Sequence, residues 1–105
     1  MNTMRIIELH AAKWQTINDF YDALLAAIKA PKGHGRSPDA LIDSMIWGGM
    51  NALEPPYTIK ISGMATLPND VRECILRASR ALAAGRSDYQ RLRGCDVEVA
   101  IETDA

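Results

Sequence analysis

The sequence predicts an α/β fold, a small three-stranded parallel sheet packed by about four helices. It reads as a single domain over residues 1–105. Two observations lead there. Three short β-type runs, at residues 5–9, 57–62 and 97–101, are separated by segments whose apolar residues recur at helical spacing. No tight hairpin turn joins one run to the next, and strands linked through helices pair in parallel by right-handed crossovers. A chain of 105 residues can bury roughly two-thirds of its unfolded surface without disulfides or metals.

In the first run, Ile6 and Ile7 point to opposite faces, which predicts a sheet covered at least partly on both sides. Thr16 with Asp19 three positions on forms a capping-box pattern. Ile17, Phe20, Leu24 and Ile28 then mark one helical face, widened by Tyr21 and Leu25, in a helix running to about Ala30 with Pro31 stopping it. Tyr57, Ile59 and Ile61 alternate with Thr58, Lys60 and Ser62 in the second strand, which Gly63 ends. Pro68 suits a first helical position, and Val71, Cys74, Ile75, Ala78 and Leu82 form a buried stripe out to Gly85. Ser87 with Gln90 predicts a second capping box and a short fourth helix carrying Tyr89 and Leu92, closed by Gly94. Val97, Val99 and Ile101 alternate with charged or small residues in the last strand.

The stretch 33–47 is the candidate for function: a glycine-rich loop turning into a short helix. Ser37 suits the N-cap, and Pro38 suits the first helical position. Steps of about 100° per residue put Ala40, Leu41, Ser44 and Met45 on one side, and Asp39, Ile42, Asp43 and Ile46 on the other. Like charges one turn apart weaken an isolated helix by a few tenths of a kcal/mol. Such a face either contacts something cationic and partly apolar, or is neutralised within the fold. In the second case Asp39 complements the helix dipole, Asp43 pairs with an arginine elsewhere, and the isoleucines lie under a loop.

Bulk properties exclude several classes. A net charge of −1 gives no general attraction to nucleic acid or an anionic membrane surface. No apolar run approaches the length of a membrane span, and the start lacks a secretory apolar core, so a cytoplasmic protein is expected. Cys74 and Cys95 are too few for a disulfide scaffold and lack metal-ligand spacing. His10 and His34 have no partner at ligand spacing, and no nucleophile elbow is present. No catalytic residue, metal or cofactor is therefore expected. Arg72, Arg77, Arg80, Arg86, Arg91 and Arg93 outnumber Glu73 and Asp88 over one helical region, more often a solvated face than a phosphate track.

The segment Gly35-Arg36-Ser37-Pro38-Asp39-Ala40-Leu41-Ile42-Asp43 resembles the Gly-x-x-x-Asp-Ala-Leu-x-Asp signature of the barstar family. Gly94-Cys95-Asp96, leading into the last strand, is similar to the corresponding segment of that family. The resemblance implies a barstar-like fold and a non-enzymatic inhibitor of a ribonuclease or toxin nuclease. In that role Asp43 would enter the enzyme's phosphate site and Asp39 would pair with an arginine at its rim. Ile42, Ile46, His34, Gly35, Ser37 and Trp47 would complete the contact. The sequence departs from the family pattern in places. Gly33-His34 stand where aromatic residues precede the loop glycine, Ser37 stands for an asparagine, and Ile42 for a tryptophan. The later acidic helix is Arg-rich here, from Tyr89 to Arg93, and Trp47 is the candidate replacement for lost aromatic contact. The alternative expectation is a regulatory or assembly module binding an acidic protein or RNA through its Arg-rich helix.

Overall fold

A computed structural model describes residues 3–105. The chain runs through β1 (Arg5–His10), α1 (Ile17–Ala27), α2 (Pro38–Leu41) and a π-helical segment (Ile42–Trp47). It continues through β2 (Tyr57–Ser62), a 3-10 turn (Met64–Thr66), α3 (Asn69–Arg93) and β3 (Val99–Thr103). The strands lie in the order β1-β2-β3, and both neighbouring pairs are parallel, as the separation of β runs by helices requires.

Among the described residues, helices pack one face of the sheet. Tyr57, Ile59, Ile61, Val99 and Ile101 are buried on that side. The other side exposes the aligned row Glu8, Lys60 and Glu102, and Ile6 is 57% exposed. Cover is thus complete on one face and partial on the other. Met4 covers part of the outer face near Thr58, whose hydroxyl donates to the Met4 sulfur at 3.6 Å.

The α1 capping box forms as predicted. Asp19 N–H donates to Thr16 Oγ1 at 3.1 Å, and Thr16 N–H donates back to the Asp19 carboxylate at 3.1 Å. Phe20, Leu24 and Ile28 are fully buried, each contributing about 1.5–3 kcal/mol by leaving water. The helix stops before Pro31 is reached. Lys29 adopts φ 55°, its N–H donates to Ala26 O at 3.2 Å, and Ala30 N–H reaches back to Leu25 O at 3.0 Å. These two bonds are a Schellman ending, with lysine in the left-handed position usually held by glycine.

The helical segment after β2 is one helix of 25 residues, not two, so the described residues form three α-helices rather than about four. Gly85 does not break it, and the Ser87–Gln90 capping box does not form. A glycine inside a helix costs about 1 kcal/mol against alanine. Here the missing side chain makes room for Ile42, which a Cβ at Gly85 would meet at 2.9 Å. The helix ends at Gly94, φ 72°, whose N–H donates to Gln90 O at 2.9 Å. The Asp104 carboxylate accepts from the Gly63 and Met64 N–H groups at 2.8 and 3.1 Å, fixing the turn after β2 from the far end of β3.

Candidate partner-binding site

The loop before α2 is fastened through two of its side chains. The Arg36 guanidinium donates to Asp22 at 2.6 Å and to the Asn18 side chain and carbonyl at 3.2 and 3.3 Å, holding the loop on α1. On the other side the His34 ring is clamped at both nitrogens, Nδ1 against Gly35 O at 2.7 Å and Nε2 against Ser44 Oγ at 2.6 Å. A carbonyl only accepts, so Nδ1 carries a proton. A hydroxyl can donate or accept, so Ser44 serves Nε2 in either state. His34 is thus half-buried and turned toward the helix. Ser37 caps α2, its hydroxyl accepting from Ala40 N–H at 3.1 Å. Gly35 lets the loop lie against that turn, since a Cβ there would stand 3.0 Å from the Ala40 methyl.

After one α-helical turn the chain widens into the π-helical segment, where Gly48 N–H donates to Asp43 O at 3.1 Å, five residues back. Each turn then takes more residues than an α-turn, and the faces expected from a 100° step rotate. Leu41, Ser44, Met45 and Ile46 are all buried. Ile46 is only 2% exposed, and Ile42 is half-buried against Gly85. The expectation that both isoleucines flank the carboxylates on an open face is therefore corrected: Ile46 is core, and Ile42 is a packing contact.

The carboxylates stay out. Asp39 and Asp43 are exposed, and neither makes an ion pair among the described residues. Neither lines the cavity of about 250 Å³ on the open sheet face, which is bounded by Glu8, Lys60, Ser62 and Glu102. No group of three or more metal-ligating side chains occurs among the described residues. The site is two free anionic groups on a segment pinned by His34–Ser44 on one side and Ile42–Gly85 on the other.

Trp47, at the end of the π-helical segment, is 44% exposed. It meets Tyr89 edge-to-face, ring centroids 4.8 Å apart, and the Arg93 guanidinium lies over its ring at 5.6 Å from the centroid. Sequence reasoning missed this cluster and the Arg36 and Gly85 anchors. Gly85, Tyr89 and Arg93 lie four residues apart on one face of α3. Reading Gly85 as a helix end split that stripe and hid it.

Of the arginines on α3, Arg72, Arg86 and Arg91 are bonded within the molecule. Arg72 donates to the carbonyls of Met64, Ala65 and Leu67. Arg86 forms a two-pronged bridge to Asp96 at 2.8 and 2.7 Å. Arg91 pairs with Asp88 at 3.2 Å. Arg77 and Arg80 make no ion pair among the described residues.

A family model described as Barstar (barnase inhibitor) matches residues 4–100, nearly the whole chain. No curated protein matches it.

Proposed function

Because the chain belongs to the barstar family, we propose that it is a non-enzymatic inhibitor of a ribonuclease or toxin nuclease, an immunity-type protein acting in the cytoplasm. Asp39 and Asp43 mask the enzyme's cationic active site. The observation that carries this reading is that both carboxylates are exposed and unpaired among the described residues, on a segment whose own contacts hold it rigid. A nuclease concentrates basic groups to hold phosphate, and fixed carboxylates can take the positions of phosphate oxygens. Rigidity matters because less conformational entropy is lost when the face docks.

Gly35 and Ser37 shape the segment that carries the carboxylates, by close approach to Ala40 and by capping α2. His34 belongs to the same supporting set, its ring being engaged internally at both nitrogens. The alternative, an Arg-rich helix that binds an acidic protein or RNA, rests on Arg77, Arg80 and Arg93, since Arg72, Arg86 and Arg91 are bonded within the molecule.

The test is titration of the protein into barnase-type ribonucleases, barnase included, with RNA cleavage and calorimetry as readouts. Asp43→Ala is expected to weaken the inhibited complex by about 2–5 kcal/mol, the range for truncating one partner of a buried interfacial charge pair; barnase–barstar is among the systems behind that range. Arg77→Ala/Arg80→Ala is expected to leave inhibition unchanged. The reverse ranking would move the working face to α3.

A further inference from the structure

Arg93 stands on the wrong side of the charge balance for a face that docks into a basic cleft. Its guanidinium lies over the Trp47 ring, and Trp47 lies one turn beyond Asp43 on the same π-helical segment. A partner positive throughout would be repelled by this cation at contact. The cation is nonetheless held in place rather than left to swing away: Trp47 supports it through the π face, and Tyr89 supports Trp47 edge-on. A half-exposed tryptophan with its rotamer fixed by two neighbours is also the kind of side chain that dominates interface energetics. Leu92, next to Arg93 in sequence, and Met50, three positions beyond Trp47, are also exposed, 62% and 52% accessible.

Resting on the inhibitor reading above, we infer that the partner's docking surface is two-signed, cationic where Asp39 and Asp43 enter and anionic where Arg93 lands, with Trp47 as the aromatic anchor between them. The partner is a nuclease carrying a carboxylate at the rim of its basic cleft. That carboxylate gives this chain its selectivity among related enzymes, because an acidic group placed here instead of Arg93 would be attracted to any basic rim.

The sign of one charge reversal separates the possibilities. Against a uniformly basic nuclease, Arg93→Glu removes a repulsion and adds an attraction, so binding tightens. Against a two-signed surface it sets like charges together, and binding weakens. The experiment measures dissociation constants of the whole protein, of Arg93→Glu and of Arg80→Glu for barnase and other barnase-type ribonucleases, with thermal melting to establish that each variant is folded. Arg80 is the control, exposed on the same helix thirteen positions earlier, about 20 Å along the axis. The expected result for the nuclease bound best is at least tenfold weakening by Arg93→Glu and little change by Arg80→Glu. A double-mutant cycle between Arg93→Ala and alanine substitutions of the nuclease's rim carboxylates is expected to show coupling of at least tenfold at one of them. If Asp43→Ala releases the nuclease while Arg93→Glu leaves binding unchanged or tighter, this inference falls and the inhibitor reading stands. If no barnase-type nuclease is held at all, the inhibitor reading falls and takes this one with it.

Discussion

An added Cβ at Gly85 would lie 2.9 Å from Ile42 Cγ2 and 3.0 Å from its Cγ1, closer than carbon atoms approach without something shifting. In an ordinary exposed helix Gly→Ala stabilises by about 1 kcal/mol. Overpacking a filled contact costs typically about 1–3 kcal/mol, so the clash wins and Gly85→Ala is expected to destabilise. The denaturant midpoint should fall, and trimming the clashing partner with Ile42→Ala in the same background should cost less than it does alone. A midpoint that rises with Gly85→Ala would mean that Ile42 is loosely held. The same pair explains what could not be read in advance. A wheel drawn at α-helical pitch puts Ile42 beside Asp39 and Asp43, and no residue type in the segment marks where the pitch changes. The aspartates were legible because exposed charge survives a rotation of the face; the isoleucines were not, because their burial depends on it.

Two Ser/Thr-x-x-Asp/Gln patterns in this chain have the same local chemistry and different outcomes. Thr16 and Asp19 cap α1, whereas Ser87 and Gln90 lie inside α3, because packing of Ile42 on Gly85 keeps that helix continuous through its glycine. Strands and caps are local and were legible, while helix continuity was decided by a contact 43 positions away in sequence. Long-range polar contacts also fasten the ends of the elements. Asp104 holds the turn after β2, and hydrogen bonds from Gly63 and Met64 N–H keep its carboxyl below the ordinary value of 3.8. Asp96 is lowered from the same value, first by its hydrogen bond from Arg86, which ties α3 to the lead-in of β3. A depressed folded value means stability that is fully present above the unfolded value and is lost as pH falls through the folded one. The fold should therefore keep its urea midpoint from neutral pH down to about 5 and lose it progressively below about 4. Asp104→Asn should flatten that acid limb, since the amide cannot titrate. An unchanged limb in this variant would assign the acid loss to other groups.

For the whole molecule, a net charge of −1 is too small to steer a partner by itself, so any steering must come from how the charges are arranged. Arg36, Arg86 and Arg91 are neutralised by Asp22, Asp96 and Asp88, which removes three cations and three anions from the far field in matched pairs. Asp39 and Asp43 have no such pairing among the described residues, and they project together from one short segment. That leaves a local negative field on a nearly neutral body, opposed close in by Arg93 on the Trp47 ring. Such a field is screened over a Debye length of about 10 Å at 0.1 M salt and about 3 Å at 1 M. Association with a basic nuclease should then slow by about tenfold between low and molar salt, at the lower end of what steering achieves, while dissociation changes less. Asp39→Asn/Asp43→Asn keeps the shape and removes the field, so its on-rate should start lower and stay nearly flat across the same range. Stopped-flow association at several ionic strengths measures both slopes. Parallel slopes for the two proteins would place the attraction elsewhere on the surface and detach it from these carboxylates.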